Sequence, residues 1–286
     1  MEIAVISGKG GSGKSSISAA FISMLSNVVA IDCDVDASNL HLLFNPVWKN
    51  EYPFISGSYA VVNKDLCVKC GRCSQICSFH AIKTENGFPI IDEISCDGCR
   101  LCVRECPASV IKMKNNDKSR IYIGQFKYGS MISGRLAPGE ENSGKMVNEL
   151  RQLSRDLANG QHSDTVILDG PPGLGCSVIS TITGVDKVVV VTEPSISGFS
   201  DLKRVVMLLH HYDTPVYVII NKCTLNHEMT DRIIHWCEDQ NLSVIATLPF
   251  SEEMVRSIVA GRTIFEYNPN SEISKKLKIA LTQIIN

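Results

Sequence analysis

The chain has 286 residues, of which 44% are hydrophobic and 20% charged, and its formal net charge is −2. This length and composition allow a full core, and the near-neutral charge excludes a general attraction to nucleic acid or anionic membranes. No apolar run reaches the roughly 18 residues that a membrane span needs. The amino terminus lacks the basic start and apolar stretch of a signal peptide, so a cytoplasmic location is expected.

The chain opens with a predicted strand, residues 2–7, a glycine-rich loop and a helix from about residue 14 to 26. The loop from Gly8 to Ser15 fits the phosphate-binding pattern G-x-x-x-x-G-K-S/T in its strand–loop–helix context. Backbone N–H groups at the helix start are expected to cradle the phosphates of ATP. Lys14 is expected to reach the β- and γ-phosphates, and the Ser15 hydroxyl to hold Mg²⁺. The predicted nucleotide contacts in this loop are Gly10, Gly11, Ser12, Gly13, Lys14, Ser15 and Ser16.

Eight of the twelve cysteines form two matched runs in the middle of the chain, each with the spacing C-x₂-C-x₂-C-x₃-C. This spacing is that of bacterial ferredoxins with two [4Fe–4S] clusters, in which the fourth cysteine of each run ligates the other cluster. In a chain of this size paired C-x₂-C motifs favour metal over disulfides. The predicted ligands are Cys67, Cys70, Cys73 and Cys106 for cluster 1, and Cys77, Cys96, Cys99 and Cys102 for cluster 2.

The chain resumes an alternation of short apolar strands and helical patterns after the cysteines. This alternation predicts an α/β fold, a doubly wound and mostly parallel sheet, with a bacterial-type ferredoxin domain inserted into it. The expected domains are an ATPase domain, residues 1–63 and 116–286, and the insert, residues 64–115. The predicted later strands are 165–168, 187–192, 216–220 and 243–246, and the predicted helices are 144–158, 198–211, 227–240, 251–260 and 271–285.

A second lysine, Lys9, stands before the two glycines of the loop. The sequence Lys-Gly-Gly-Ser-Gly-Lys-Ser resembles the deviant P-loop of the MinD/Mrp-superfamily ATPases, and nearly the whole chain resembles such an ATPase with an inserted two-cluster ferredoxin domain. In that family the early lysine reaches across a dimer interface to the partner's nucleotide. The resemblance therefore implies a homodimer bridged by ATP, with Lys9 acting in trans.

Residues 31–36 carry three acidic side chains at the end of the second predicted strand, residues 28–31, and resemble the family's switch I. The resemblance implies that Asp34 positions the water that attacks the γ-phosphate. It implies for Asp32 a contact with Mg²⁺ through water. A carboxylate at the carboxyl end of a parallel strand points into the ligand crevice, which fits both roles.

Residues 166–173 resemble switch II, with its pattern D-x-P-P-G. The resemblance implies that Asp169 holds Mg²⁺ through water and that the N–H group of Gly173 senses the γ-phosphate. On the base side, Asn221 matches the residue that hydrogen-bonds adenine, and Pro249 lies in the segment that matches the loop closing over the base. The residues with implied catalytic roles are Lys9, Lys14, Asp34 and Asp169.

Three functions remain open at this stage. The first is an ATPase that drives electron transfer to a protein partner, and the second is an ATPase of iron–sulfur or metallocluster maturation. The third is an ATP-switched scaffold or partitioning protein, which leaves the clusters without a purpose. Cys176, seven residues after Asp169, would give the second function a metal site between two chains. No nucleic-acid partner is expected, because the net charge is close to neutral. No membrane insertion is expected, because the apolar stripe of the last helix is typical of core packing.

Overall fold

The computed structural model describes residues 1–286, with thirteen strands and eleven α-helices. The strands are β1 (Glu2–Ser7), β2 (Val28–Asp32), β3 (Val47–Phe54), β4 (Ser58–Val62), β5 (Ile82–Glu85), β6 (Phe88–Ile91), β7 (Ile111–Asn115), β8 (Ser119–Phe126), β9 (Gly129–Arg135), β10 (Val166–Pro172), β11 (Lys187–Thr192), β12 (Val216–Ile220) and β13 (Ser243–Thr247). The helices are α1 (Lys14–Ser23), α2 (Leu40–Phe44), α3 (Arg72–Gln75), α4 (Leu101–Arg104), α5 (Ser143–Gln161), α6 (Cys176–Ile182), α7 (Ile196–Leu209), α8 (His227–Asp239), α9 (Glu252–Val259), α10 (Ile264–Tyr267) and α11 (Glu272–Ile285).

Nine strands form one sheet in the order β13-β12-β11-β1-β10-β2-β9-β8-β3. Every pairing from β13 to β9 is parallel. Parallel strands are covered on both faces, and the apolar runs 3–6 and 188–191 are accordingly buried. Because β10 and β2 lie on one side of β1 and β11 on the other, the ligand crevice lies at the carboxyl ends of these central strands. The predicted α/β fold with a mostly parallel sheet is confirmed.

Residues 52–120 and 136–142 form a second compact unit, and the rest of the chain forms the first. In the second unit β4 pairs antiparallel with β7, and β5 pairs antiparallel with β6. The unit is longer than the predicted insert of 64–115, because β4 precedes residue 64 and belongs with β7. Its small core contains Ala60, Ile82, Cys102, Val110 and Ile111.

The backbone of the second unit repeats itself. Three pairs of residues have positive φ angles at the same spacing as Cys67 and Cys96: Lys69 and Gly98, Gly71 and Arg100, and His80 and Ser109. Few residues other than glycine adopt this conformation without a cause. Matching backbone turns at matching positions show that the two cysteine runs fold as two copies of one local structure.

The last helix packs as the sequence predicts. Its apolar stripe is buried in the core of the first unit, at Ile273, Leu277, Leu281 and Ile284. None of the helices combines the length and the apolarity that crossing a membrane would require.

Candidate nucleotide site and cysteine pockets

The glycine-rich loop joins β1 to α1 and needs glycine at two positions. Gly11 and Gly13 have φ angles of 81° and 90°, which other residues rarely adopt. A Cβ atom on Gly13 would lie 2.2 Å from Nδ2 of Asn221, so a larger residue there would force the Asn221 side chain to move. The Asn221 amide also donates to the carbonyl oxygen of Ser12 at 2.9 Å. The structure thus places Asn221, a predicted adenine contact, against the loop backbone.

Lys14 and Asp169 form a buried ion pair at the start of α1. Lys14 Nζ lies 2.9 Å from Asp169 Oδ1, with side-chain exposures of 7% and 0%. The Ser18 hydroxyl donates to the same oxygen at 2.8 Å, and Lys14 Nζ lies 3.2 Å from Ser15 Oγ. The predicted phosphate lysine, Mg²⁺ serine and acidic residue therefore meet at one point.

Two buried side-chain oxygen atoms of the loop and of β10 have no hydrogen-bond partner, Ser12 Oγ and Asp169 Oδ2. Unpaired buried polar atoms are costly in a folded protein. Carboxylate and hydroxyl oxygens are donors that Mg²⁺ takes together with phosphate oxygens and water. The residues present therefore fit a magnesium nucleotide.

Asp32 lies at the end of β2 and is fully buried. Its Oδ2 atom accepts hydrogen bonds from the Ser38 hydroxyl at 2.8 Å and from the N–H groups of Asn39 and Leu40 at 2.9 Å, so it caps the start of α2. Burial and the neighbouring Asp169 carboxylate raise the pKa of Asp32 to about 6. The structure thus gives Asp32 a structural task in addition to its predicted contact with Mg²⁺ through water.

Asp34 is half-buried between the other acids and the P-loop lysine. Burial raises the pKa of Asp34; the charge of Lys14 opposes this effect and that of Asp169 adds to it. A carboxylate with a raised pKa accepts a proton more readily than an ordinary one. The role of Asp34 in positioning the attacking water stays a prediction.

The switch II segment is more regular than its sequence predicts. The sequence predicts a strand that ends at Asp169, but β10 continues to Pro172. It continues because Pro172 stays in register with Ser7, after an irregularity in the pairing with β1. Gly173 follows with a φ of 95° and donates its N–H to the carbonyl oxygen of Ser7 at 2.9 Å. The predicted γ-phosphate sensor is therefore bonded to the end of β1 in this structure.

Lys9 is bound within its own chain. Its Nζ atom lies 2.7 Å from Glu193 Oε1, and Lys222 Nζ lies 2.9 Å from Glu193 Oε2. Lys222 also donates to the carbonyl oxygen of Gly11 at 2.8 Å. Burial acts to raise the pKa of Glu193, but the hydrogen bonds from Lys9 and Lys222 outweigh it and hold this pKa below its ordinary value.

Sequence reasoning missed three residues of this site: Ser18, Glu193 and Lys222. A signal was present for two of them. Ser18 stands one helical turn after Lys14 on the same face, and Glu193 directly follows β11 at the carboxyl edge that holds the other acids. Pro249, which is predicted to lie in the loop over the base, follows the end of β13. The N–H group of its neighbour Leu248 donates to the carbonyl oxygen of Ile220 at 2.9 Å.

The eight predicted cluster cysteines divide between two pockets of the second unit. One pocket is lined by Cys67, Cys70, Cys73 and Cys106, and the other by Cys77, Cys96, Cys99 and Cys102. In each pocket three cysteines come from one run and the fourth from the other run. No group of three or more His, Cys, Asp or Glu side chains forms a site for a single metal ion. Four thiols spread around one pocket fit a cluster better than one ion.

A family model for the CobQ/CobB/MinD/ParA nucleotide binding domain matches residues 3–264. The uncharacterized protein MJ0578 of Methanocaldococcus jannaschii is 33% identical over 282 residues, which cover 97% of this chain and 94% of that protein. The uncharacterized ferredoxin MJ0155 of the same organism is 37% identical over 51 residues, which cover 17% of this chain and 34% of that protein.

Among solved structures, the septum site-determining protein MinD of Pyrococcus horikoshii, complexed with Mg-ADP, has a similar fold. The TM-score is 0.57 at 17% identity, over 100% of this chain and 96% of that chain. The similarity in fold extends over the whole chain. The residues that the family model matches include the glycine-rich loop, Asp169 and Asn221. The chain therefore belongs to the CobQ/CobB/MinD/ParA family as a MinD/ParA-type P-loop ATPase.

Proposed function

We propose that this protein is a Mg-ATP-dependent, dimerising ATPase that couples ATP binding and hydrolysis to electron transfer through two [4Fe–4S] clusters to a protein partner. The observation that carries the proposal is the pair of cysteine pockets, each lined by four cysteines from both runs. A complete ligand set inside one chain favours a resident redox centre over a cluster that is handed on. When bound, the clusters supply one-electron transfer.

On the nucleotide side, Lys14 and Ser15 would hold the phosphates and Mg²⁺, and Asp169 would hold the metal through water. Lys14 now neutralises Asp169 at 2.9 Å. Bound phosphate would offset the charge of Lys14, and bound Mg²⁺ would offset that of Asp169. The two side chains could then separate without leaving an unpaired buried charge. Asp34 would then orient the attacking water, whose oxygen bonds to the γ-phosphorus as the bond to the β-phosphate oxygen breaks.

The proposed dimer is supported by the position of Lys9, which is partly exposed at 31% and lies on the surface beside Ser195 and Ser197. In the proposed ATP-bound dimer it would leave Glu193 and contact the nucleotide of the second copy. Two copies bridged by ATP would form the active assembly, and a protein that gives or takes one electron would be its partner.

The cysteine pockets make the proposal testable by composition. Anaerobically purified protein is expected to contain about eight iron and eight sulfide per chain. Because ligation crosses between the runs, Cys106→Ser and Cys70→Ser should remove the same electron paramagnetic resonance signal, and Cys77→Ser should remove the other. Protein that contains zinc and no sulfide would contradict the proposal. The proposal would also be contradicted if Cys70→Ser and Cys77→Ser, from the same run, removed one signal and Cys106→Ser removed the other.

A second candidate function, cluster maturation, is favoured by Cys176. This cysteine is exposed at the start of α6, shortly after switch II. Two such thiols facing each other in a dimer would form a site for a metal or a transient cluster. Thiol labelling tests this: protection of Cys176 by Mg-ATP supports the site, whereas equal labelling with and without nucleotide contradicts it. The buried Cys237 serves as the unreactive control.

A further inference from the structure

Residues 136–142, here named the strap, connect β9 to α5 and belong to the second compact unit. Glu140 anchors the strap: its Oε2 atom accepts hydrogen bonds from the hydroxyls of Ser56 and Ser119, each at 2.5 Å. The Ala137 N–H donates to the Ser119 hydroxyl at 2.9 Å. Side-chain hydrogen bonds therefore hold the strap to the loop before β4 and to the first residue of β8.

The strap also rests on the loop that carries a predicted ligand of cluster 2. A Cβ atom on Gly139 would lie 2.6 Å from Cγ2 of Ile94, so the strap backbone contacts the residue two positions before Cys96. A polar cavity of about 390 Å³ beside this contact is lined by Cys96, Glu140 and Asn142, among others. The buried Oε1 atom of Glu140 has no hydrogen-bond partner. The strap therefore has room for a second conformation, in which Glu140 Oε1 could accept a further hydrogen bond.

The amino-terminal end of the strap continues directly from a strand bonded to switch I. In the pairing of β9 with β2, Ser133 lies opposite Asp32. The Ser133 and Ser38 hydroxyls lie 2.6 Å apart, and Ser38 donates to Asp32 Oδ2 at 2.8 Å. Asp32 is therefore linked through Ser38 to β9, two residues before the strand ends and the strap begins.

The carboxyl-terminal end of the strap continues into α5, which packs on the helix that follows switch II. A Cβ atom on Gly144 would lie 3.2 Å from the Cys176 Cβ atom, so the start of α5 touches the start of α6. Arg151 Nη1 donates to the carbonyl oxygen of Ser180 at 2.8 Å, which fixes the two helices together. Helices α5 and α6 are therefore packed and hydrogen-bonded to each other, and the chain runs from the strap directly into α5.

We infer that the strap is the coupling element between the nucleotide switches and the loop of Cys96, with Glu140 as its positioning residue. Both ends of the strap follow elements bonded to a switch, and its middle contacts the cluster loop. Rearrangement of Asp32 and α6 around Mg-ATP would move both ends together, and Glu140 would transfer the movement to residues 93–97. The inference rests on the proposed function, since it needs nucleotide and cluster in one chain.

Hydrogen–deuterium exchange on anaerobically purified full-length protein tests the strap, with and without Mg²⁺ and a slowly hydrolysed ATP analogue. In the wild type the analogue should change the exchange rates of residues 93–97 by about fivefold or more, the scale of ordinary coupling between sites. Glu140→Ala should reduce this change to less than about twofold while leaving the change in residues 144–160 intact. Glu141→Ala, an exposed neighbour, is the matched control and should behave as wild type.

Two outcomes overturn the inference. The first is that the analogue changes the exchange rates of residues 93–97 as much in Glu140→Ala as in wild type. The second is that wild type binds the analogue but shows no change in exchange at residues 93–97. If Glu140→Ala folds poorly, Glu140→Gln replaces it; it keeps one acceptor oxygen and should give an intermediate response. Iron content and phosphate release are measured on the same samples. Their loss would mark a failure of the proposed function, whereas an intact ATPase with full clusters and no effect of Glu140 would mark a failure of the strap alone.

Discussion

Lys14 Nζ lies 2.9 Å from Asp169 Oδ1, and both side chains are almost completely buried. The pair joins the glycine-rich loop to the carboxyl end of β10, where the phosphates and Mg²⁺ are proposed to bind. A buried charge that loses its partner is strongly destabilising. The pair therefore links the stability of the free chain to its affinity for Mg-ATP.

Lys14→Ala should weaken Mg-ATP binding by about 100-fold or more, because the phosphates lose their main counter-cation. It should also lower the free energy of unfolding by about 3 kcal/mol, since Asp169 is left buried and unpaired. Adding Asp169→Asn should restore part of the stability but none of the binding. Calorimetry and denaturant melts of the single and double variants measure both effects; stability losses that simply add would show that the pair is not coupled.

Asp34→Ala should retain nucleotide binding and lose turnover by about 100-fold, because it removes the group that positions water while leaving Lys14 and Ser15 in place. Asp36→Ala is the matched control, an exposed acid on the same segment. Steady-state phosphate release gives the rates, and titration with a slowly hydrolysed analogue gives the affinities. Normal turnover in Asp34→Ala would refute the assignment of this residue.

Lys9→Ala should weaken the dimer formed with Mg²⁺ and a slowly hydrolysed analogue, since each copy loses one charged contact to the other's nucleotide. The expected loss is about tenfold or more in the dimer dissociation constant. Glu193→Gln should preserve or strengthen the dimer, because it removes the contact that holds Lys9 within its own chain at 2.7 Å. Light scattering over a range of concentrations decides between these outcomes, and a wild type that stays monomeric throughout would exclude the role of Lys9 in trans.

Asp32 makes the stability of the nucleotide-free chain depend on pH. Its pKa in the folded chain is raised to about 6 from 3.8, so the folded state binds the proton more tightly than the unfolded state. Stability from this group is present at low pH and is lost as pH rises through about 6. Asp32→Asn should therefore gain stability relative to wild type, by the order of 2 kcal/mol, between about pH 4 and pH 7.

Thermal melts in the presence of a chelator, at several pH values, measure this difference. Asp36→Asn, an exposed acid nearby, should show no such trend. A difference between Asp32→Asn and wild type that stays constant with pH would mean that Asp32 is not titrating in this range.

The strands that are buried on both faces were predictable, because they stand in the sequence as unbroken apolar runs. Strands β11 and β12 have the bounds that the sequence predicts. β3 was missed because all but its last residue are exposed, which removes the apolar pattern. β8 and β9 were missed because the segment between the cysteines and α5 has a mixed composition in which pairing, not propensity, decides the strand.

The candidate site was predictable from motifs but its internal bonding was not. The sequence places Lys14, Asp34 and Asp169 together, because strand ends converge in a parallel sheet. It does not reveal that Lys9 is paired with Glu193, since this contact depends on the register between β1 and β11. The division of the cysteines between two pockets, by contrast, follows from spacing alone.

The rate of cluster reduction with and without Mg-ATP tests the central claim most directly. Anaerobic protein is mixed with a one-electron donor in a stopped-flow spectrometer, and bleaching of the cluster absorbance is followed for wild type and Lys14→Ala. The account predicts that Mg-ATP changes the rate by about fivefold or more in the wild type and leaves Lys14→Ala unchanged. Equal rates with and without Mg-ATP, in wild type that contains both clusters and hydrolyses ATP, would contradict it.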